Sequence, residues 1–199
     1  MSEKDHIKSL LEQEWRELLE LSRQLSAEEW NTPSLCEGWT VRDVLAHILG
    51  EQRDSLLYFT SGSPHKANQK AVDKRKNLPI SSLIEELESV IVKPGILTKV
   101  ITTLMLEDNW VHQQDMRWVL DENRQRQQKP EKVLQILTVL NKTALKKYPG
   151  VKFQATDLDW SIGEGKEVRG TGEAVAMFLA RRPVALKKLE GDGLALLKK

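Results

Sequence analysis

For most of its length the chain repeats apolar residues every three or four positions, and after Gly150 the repeat changes to two. That switch constrains the fold more than anything else in the sequence. A period near 3.6 buries one stripe of a helix, and a period of two buries one face of a strand. Ile7, Leu11, Trp15, Leu18, Ser22 and Leu25 draw one stripe on a helix expected over residues 3–25. Ser26-Ala-Glu-Glu29 has the form of a capping box, and Thr40-Val-Arg-Asp43 opens a helix expected to run to about Phe59. Residues 60–80 read as a polar crossover, bracketed by Ser61-Gly-Ser-Pro64 and Asn77-Leu-Pro79. A helix over 82–92 stops at Pro94-Gly95. The next helix sets Leu97, Val100, Ile101, Leu104, Asp108, His112, Asp115 and Val119 on one face. A polar linker, 121–130, leads to a helix over 131–147. Beyond Gly150, Val151-Lys-Phe-Gln-Ala-Thr alternates as a half-buried strand, and Gly163-Glu-Gly165 reads as a hairpin turn into a return strand over 166–169. A short helix over 172–181 follows. The expected architecture is mainly α, with a helical bundle over 1–149 and a small α+β domain over 150–199.

The balance of 30 Lys and Arg against 29 Asp and Glu, net +1, removes the electrostatic basis for sequence-independent nucleic-acid binding. A single cysteine cannot close an internal disulfide. No apolar run approaches the roughly 20 residues that span a bilayer, and the charged N-terminus has no secretory h-region. The chain is therefore expected to be cytoplasmic, with no membrane or nucleic-acid partner. Nothing in the sequence decides between a monomer and a homodimer.

The strongest chemical signal is polar side chains where a core stripe calls for apolar ones. Asp108 and His112 are four residues apart and share a helix face, with Asp115 one step further. His47 stands among Val44, Leu45 and Ile48 on another helix. Burying two imidazoles and a carboxylate without partners costs several kcal/mol. Solvent or ordinary protein partners would relieve that cost, and so would one divalent metal. Two ligands at i and i+4 and a third from a facing helix is a known bundle arrangement, and three protein ligands leave a position open, as in catalytic zinc sites. Asp115 reads as a group that orients a neighbour or pairs two helices, and Glu51, one turn after His47, stays open between ligand and bystander. Cys36 has no second cysteine for a C-x-x-C pair; a reactive thiol is one reading, and a buried structural residue is the favoured one. The glycines at 163, 165, 170 and 172 do not form a dinucleotide-binding G-x-G-x-x-G.

Trp30-Asn-Thr-Pro-Ser-Leu-Cys-Glu-Gly-Trp-Thr-Val-Arg-Asp-Val-Leu-Ala-His47 resembles the opening signature of the mycothiol-dependent maleylpyruvate isomerase family, a branch of the DinB/YfiT-like metal-binding four-helix bundles. Asp108-Asn-Trp-Val-His112-Gln-Gln-Asp115 resembles its second signature. Thr156-Asp-Leu-Asp-Trp160, Glu167-Val-Arg-Gly170 and Phe178-Leu-Ala-Arg-Arg182 resemble its small C-terminal domain, which is similar to sterol-carrier-type folds. The resemblance implies a zinc site from His47, Asp108 and His112, although the family carries the longer Glu at the position of Asp108. It also implies an arginine near the active site, matched here by Arg181 or Arg182. The implied activity is S-transfer, or thiol-assisted isomerisation, of a small electrophile by a low-molecular-weight thiol, mycothiol or bacillithiol. A metal-dependent hydrolase and a non-catalytic metal or small-ligand binding protein are the competing readings.

Overall fold

The structure, a computed structural model, describes residues 2–197, the side chain of Leu97 excepted. The chain divides into two compact units, Met1–Gln125 and Arg126–Lys199.

The first unit is helical: α1 (Glu3–Gln24), α2 (Ala27–Trp30), α3 (Val41–Arg53), α4 (Ser55–Thr60), α5 (Pro64–Arg75), α6 (Ile80–Val92), α7 (Ile96–Val100) and α8 (Thr102–Arg117). Four of these make a closed ring of packed helices: α1 touches α6 and α8, and α3 touches the same two from the other side. The stripe expected on α1 is the buried one, with Ile7, Leu10, Leu11, Trp15, Leu18 and Leu21 all in the core. Both capping motifs form. Ser26 and Glu29 cap α2 reciprocally, and Thr40 and Asp43 do the same for α3.

Three local expectations change. Residues 64–75 form α5 rather than a crossover. Its N-terminus is well marked, with Ser63 accepting from the Lys66 N–H and Pro64 in the first turn. Its buried face, however, is only Ala67, Ala71, Val72 and Arg75, which makes a weak apolar signal. Gly50 lets this face lie close on α3, because a Cβ there would stand 2.3 Å from the Ala71 Cβ. The helix expected over 40–59 breaks at Asp54, whose carboxylate is taken by Lys74 and Arg75 of α5. The helix carrying Asp108 also breaks, at Ile101. N-terminal to that break Val100 of the expected core face is 75% exposed, and the side chain of Leu97 lies outside the described residues. The burial on α8 falls instead on Met105, Leu106, Trp110, Val111 and Met116.

The second unit holds α9 (Pro130–Lys147), β1 (Val151–Ala155), β2 (Ser161–Ile162), β3 (Lys166–Gly170), α10 (Gly172–Leu179) and α11 (Leu194–Leu197). Here the compact unit begins at 126, not at 150, because α9 packs against α10. The sheet order is β2-β1-β3. β2 is antiparallel to β1, while β3 is parallel to it, with Phe153 opposite Val168. The Gly163–Gly165 segment is thus no hairpin turn. It carries the chain across the start of β1 to the opposite edge. Gly165 makes the crossing possible: its φ is 113°, and a Cβ there would stand 2.3 Å from the Gly150 carbonyl oxygen. Tyr148, Phe153 and Phe178 meet in an aromatic cluster with ring centroids 5.3–6.1 Å apart.

Among the described residues no helix is long and apolar enough to cross a membrane.

Candidate metal centre

The loop that links α2 to α3 is tied down by its own contacts and by α8. Ser34 closes it by donating to the Trp39 carbonyl at 2.8 Å, Pro33 bridges Thr40, and the Leu35 N–H donates to the Asp115 carbonyl of α8 at 3.2 Å. α3 then starts in a fixed place. Its helical period stacks His47 and Glu51 on the face it turns to α8, and the same period on α8 stacks Asp108 and His112.

The three residues singled out as ligands converge. His47 Nε2 lies 3.7 Å from Asp108 Oδ2, and His112 Nε2 lies 3.7 Å from Asp108 Oδ1. The two imidazole centroids are 4.7 Å apart at 80°. These separations are too long for hydrogen bonds. They match donors around one cation, since ligands about 2.0–2.2 Å from a tetrahedral ion stand roughly 3.4 Å from one another. One donor atom from each of His47, Asp108 and His112 falls within 4.8 Å of the others. Asp108 Oδ2 is buried with no hydrogen-bond partner, as is His47 Nδ1. A buried carboxylate oxygen left this way is costly, and a cation between the imidazoles would relieve it. The donor set, two imidazoles and a carboxylate, suits zinc.

The opposite edge of His112 is fully engaged. Its Nδ1–H donates to Asp115 Oδ2 at 3.0 Å, and the Cys36 Sγ stands 3.4 Å from the same nitrogen while donating to Asp115 at 3.1 Å. Asp115 is completely buried. With one proton held on Nδ1, Nε2 is the nitrogen that faces Asp108 and His47 and would lose its own proton to a cation. Trp39 packs on His47 with centroids 5.1 Å apart, and its Nε1–H donates to Gln69 at 3.2 Å. The site is closed on the His47 side, where the imidazole is 1% exposed. It opens at Asp108 and His112, whose side chains are 33% and 12% exposed.

The charges in the site are strongly displaced. Burial opposes charge on His112, but the Asp108 carboxylate and the Asp115 hydrogen bond outweigh it and hold the imidazole well above its usual value. Burial pushes His47 down, with the positive charge of His112 adding to it. Asp108 is held below the carboxylate range: burial pushes it up, and His112 and His47 overcome that push. Glu51 is driven well above its ordinary value, first by burial and then by the Asp108 charge. Such displaced groups gather at functional sites.

Asp115 therefore stands where an orienting group was expected. Cys36 differs from expectation, being half-buried and part of the site. Its distance in sequence from His112 hid the contact. Asn109, Trp15 and Tyr58, which lie behind the site, carried no sequence signal beyond ordinary core spacing. Arg181 and Arg182 belong to the second unit, at the end of α10. Arg181 is exposed and takes the left-handed conformation that ends the helix, with φ 67°. Its N–H bonds the Phe178 carbonyl, and that of Arg182 bonds the Met177 carbonyl.

Residues 11–91 match the mycothiol maleylpyruvate isomerase N-terminal domain. The matched span ends within α6, so it contains His47 and Glu51, while Asp108 and His112 lie beyond it. Among solved structures the chain is similar to a mycothiol-dependent maleylpyruvate isomerase, with TM-score 0.68, 14% identity, and coverage of 96% of this chain and 93% of that one. A histidine-to-alanine mutant of a mycothiol-dependent maleylpyruvate isomerase aligns over the same shares with TM-score 0.67 and 12% identity. At these identities the likeness is one of fold. No curated protein matches the chain.

Proposed function

We propose that this protein is a divalent-metal-dependent enzyme, with zinc the first candidate, that uses a low-molecular-weight thiol, mycothiol or bacillithiol, for S-transfer or thiol-assisted isomerisation of a small electrophile. The solved structures whose fold it shares are of a mycothiol-dependent maleylpyruvate isomerase. The observation that carries the reading is the convergence of two imidazole nitrogens and a carboxylate from α3 and α8, with a buried carboxylate oxygen left without a partner. His47 and His112 through Nε2, and Asp108 through its carboxylate, would hold the cation.

A divalent cation with an open position supplies Lewis acidity there, lowering the pKa of a thiol from its free value of about 8.5 so that the nucleophile exists at neutral pH. The chain's own residues do the rest. Asp115 accepts the Nδ1 proton of His112 and fixes both its tautomer and its orientation. Trp39 covers the inner imidazole and keeps water from that side. The exposed edge at Asp108 and His112 leaves a way in for thiol and electrophile. Thiol chemistry of this kind belongs in a reducing cytoplasm.

Elemental analysis of the purified protein tests the metal, and disappearance of an electrophile with and without thiol tests the chemistry. Wild type should carry one zinc per chain, His112→Ala none, and turnover should require both metal and thiol. Full metal retention in His112→Ala would overturn the proposal. Turnover without thiol would favour the hydrolase, and bound metal with no turnover for any thiol would favour the binding protein.

A further inference from the structure

Beside the three converging residues lies a fourth donor that they leave unassigned. Glu51 is one helical turn after His47 and 6% exposed, and its Oε1 is 3.8 Å from His47 Nε2. That separation is nearly the same as those between Asp108 and the two imidazoles, and like them it is too long for a hydrogen bond.

The orientation of Glu51 is set from behind. The Trp15 indole N–H, which can only donate, bonds Asn109 Oδ1 at 2.8 Å. The Asn109 amide is thereby turned so that its NH2 faces Glu51, donating to Oε2 at 3.5 Å. Asn109 and Trp15 are both almost fully buried, so this arrangement is held by the core. With Oε2 accepting from Asn109, Oε1 is the oxygen presented to His47. The pocket then gathers two carboxyls and two imidazoles. Two neighbouring carboxyls in a buried site do not both carry charge unless a cation lies between them, and without one Glu51 keeps its proton.

We infer that Glu51 is a fourth protein donor to the cation held by His47, Asp108 and His112. The inference rests on the metal reading above. Its consequence is a set of two imidazoles and two carboxylates, whose two negative charges neutralise a divalent cation. An incoming thiol would then raise the coordination number to five rather than fill a fourth position. Such a mixed nitrogen and oxygen set also accepts Mn²⁺ or Fe²⁺ more readily than a thiolate-rich one.

Cobalt(II) and zinc are the probes. Metal-stripped wild type and Glu51→Gln are titrated with each metal against a chromophoric chelator, and the visible bands of the cobalt protein are recorded. If Glu51 ligates, Glu51→Gln loses affinity by roughly 10–100-fold or more, and its cobalt bands shift in energy and intensity. Glu51→Asp keeps the charge but is one methylene shorter, so it should show the same spectral change if the glutamine variant folds poorly. Unchanged affinity and an unchanged cobalt spectrum in both variants would overturn the role of Glu51 and leave the three-ligand reading standing. Wild type that binds neither metal would overturn both.

Discussion

Two clusters of charge are buried in the same helical unit, and they differ in one respect. At Asp54, Arg75 and Glu86 every charge is met by protein. Arg75 is 3% exposed and reaches Asp54 at 2.5 Å and Glu86 at 2.5 and 3.0 Å. At His47, Glu51, Asp108 and His112 the imidazole nitrogens stand 3.7–3.8 Å from the carboxylate oxygens, and a buried carboxylate oxygen has no partner. The first cluster is complete as a piece of structure and joins α3, α5 and α6. The second has its outer edge at His112 satisfied by Asp115 and its inner edge held open. Burial of charge by itself therefore does not mark a site. Unmet burial does, when the supporting contacts are in place.

Four experiments press on that contrast, in falling order of expected effect. Arg75→Met leaves Asp54 and Glu86 without their buried partner, and urea unfolding should show a loss of about 3–5 kcal/mol. His112→Ala in metal-free protein should lose far less. Equal losses would mean that both clusters are structural. Zinc at a hundredfold excess over its dissociation constant should stabilise wild type by about 2.7 kcal/mol. Chelator should reverse this, and Arg75→Met should show the same increment from a lower baseline. Asp115→Asn keeps the volume but weakens the acceptor at His112 Nδ1. Its zinc affinity should fall roughly 10–100-fold, as a chelator competition would read, with little change in metal-free unfolding. Outside both clusters, Glu29 is held down to about 2 by the Arg124 hydrogen bond and then by the Ser26 N–H. Its folded value lies below the ordinary 4.5, so the stability it adds is present above pH 4.5 and fades as pH falls toward 2. Arg124→Met should flatten that part of the pH–Tm curve, leaving the curve above pH 5 parallel to wild type.

What could be read in advance followed from the reach of each signal. The i,i+4 pair on α8 and the lone histidine on α3 were visible because helical spacing is local. α5 was not, because alanines and a buried arginine carry little periodic contrast. The direction of β3 was not, because alternation says which face is buried and nothing about which neighbour a strand pairs with. Cys36 was misread because its two contacts come from α8.

The sequence by itself determined that a helix over about residues 3–25 has a known inward face and that another starts after Thr40, that capping boxes start α2 and α3, and that one histidine and an Asp-x-x-x-His pair stand among core positions. These follow from backbone geometry over one or two turns. Only the tertiary structure decided that the two helices face each other at ligand distance, that Asp115 and Cys36 engage one edge of His112, and that Glu51 is turned inward by Asn109 and Trp15. Each of those depends on packing between elements far apart along the chain, where no local repeat carries information.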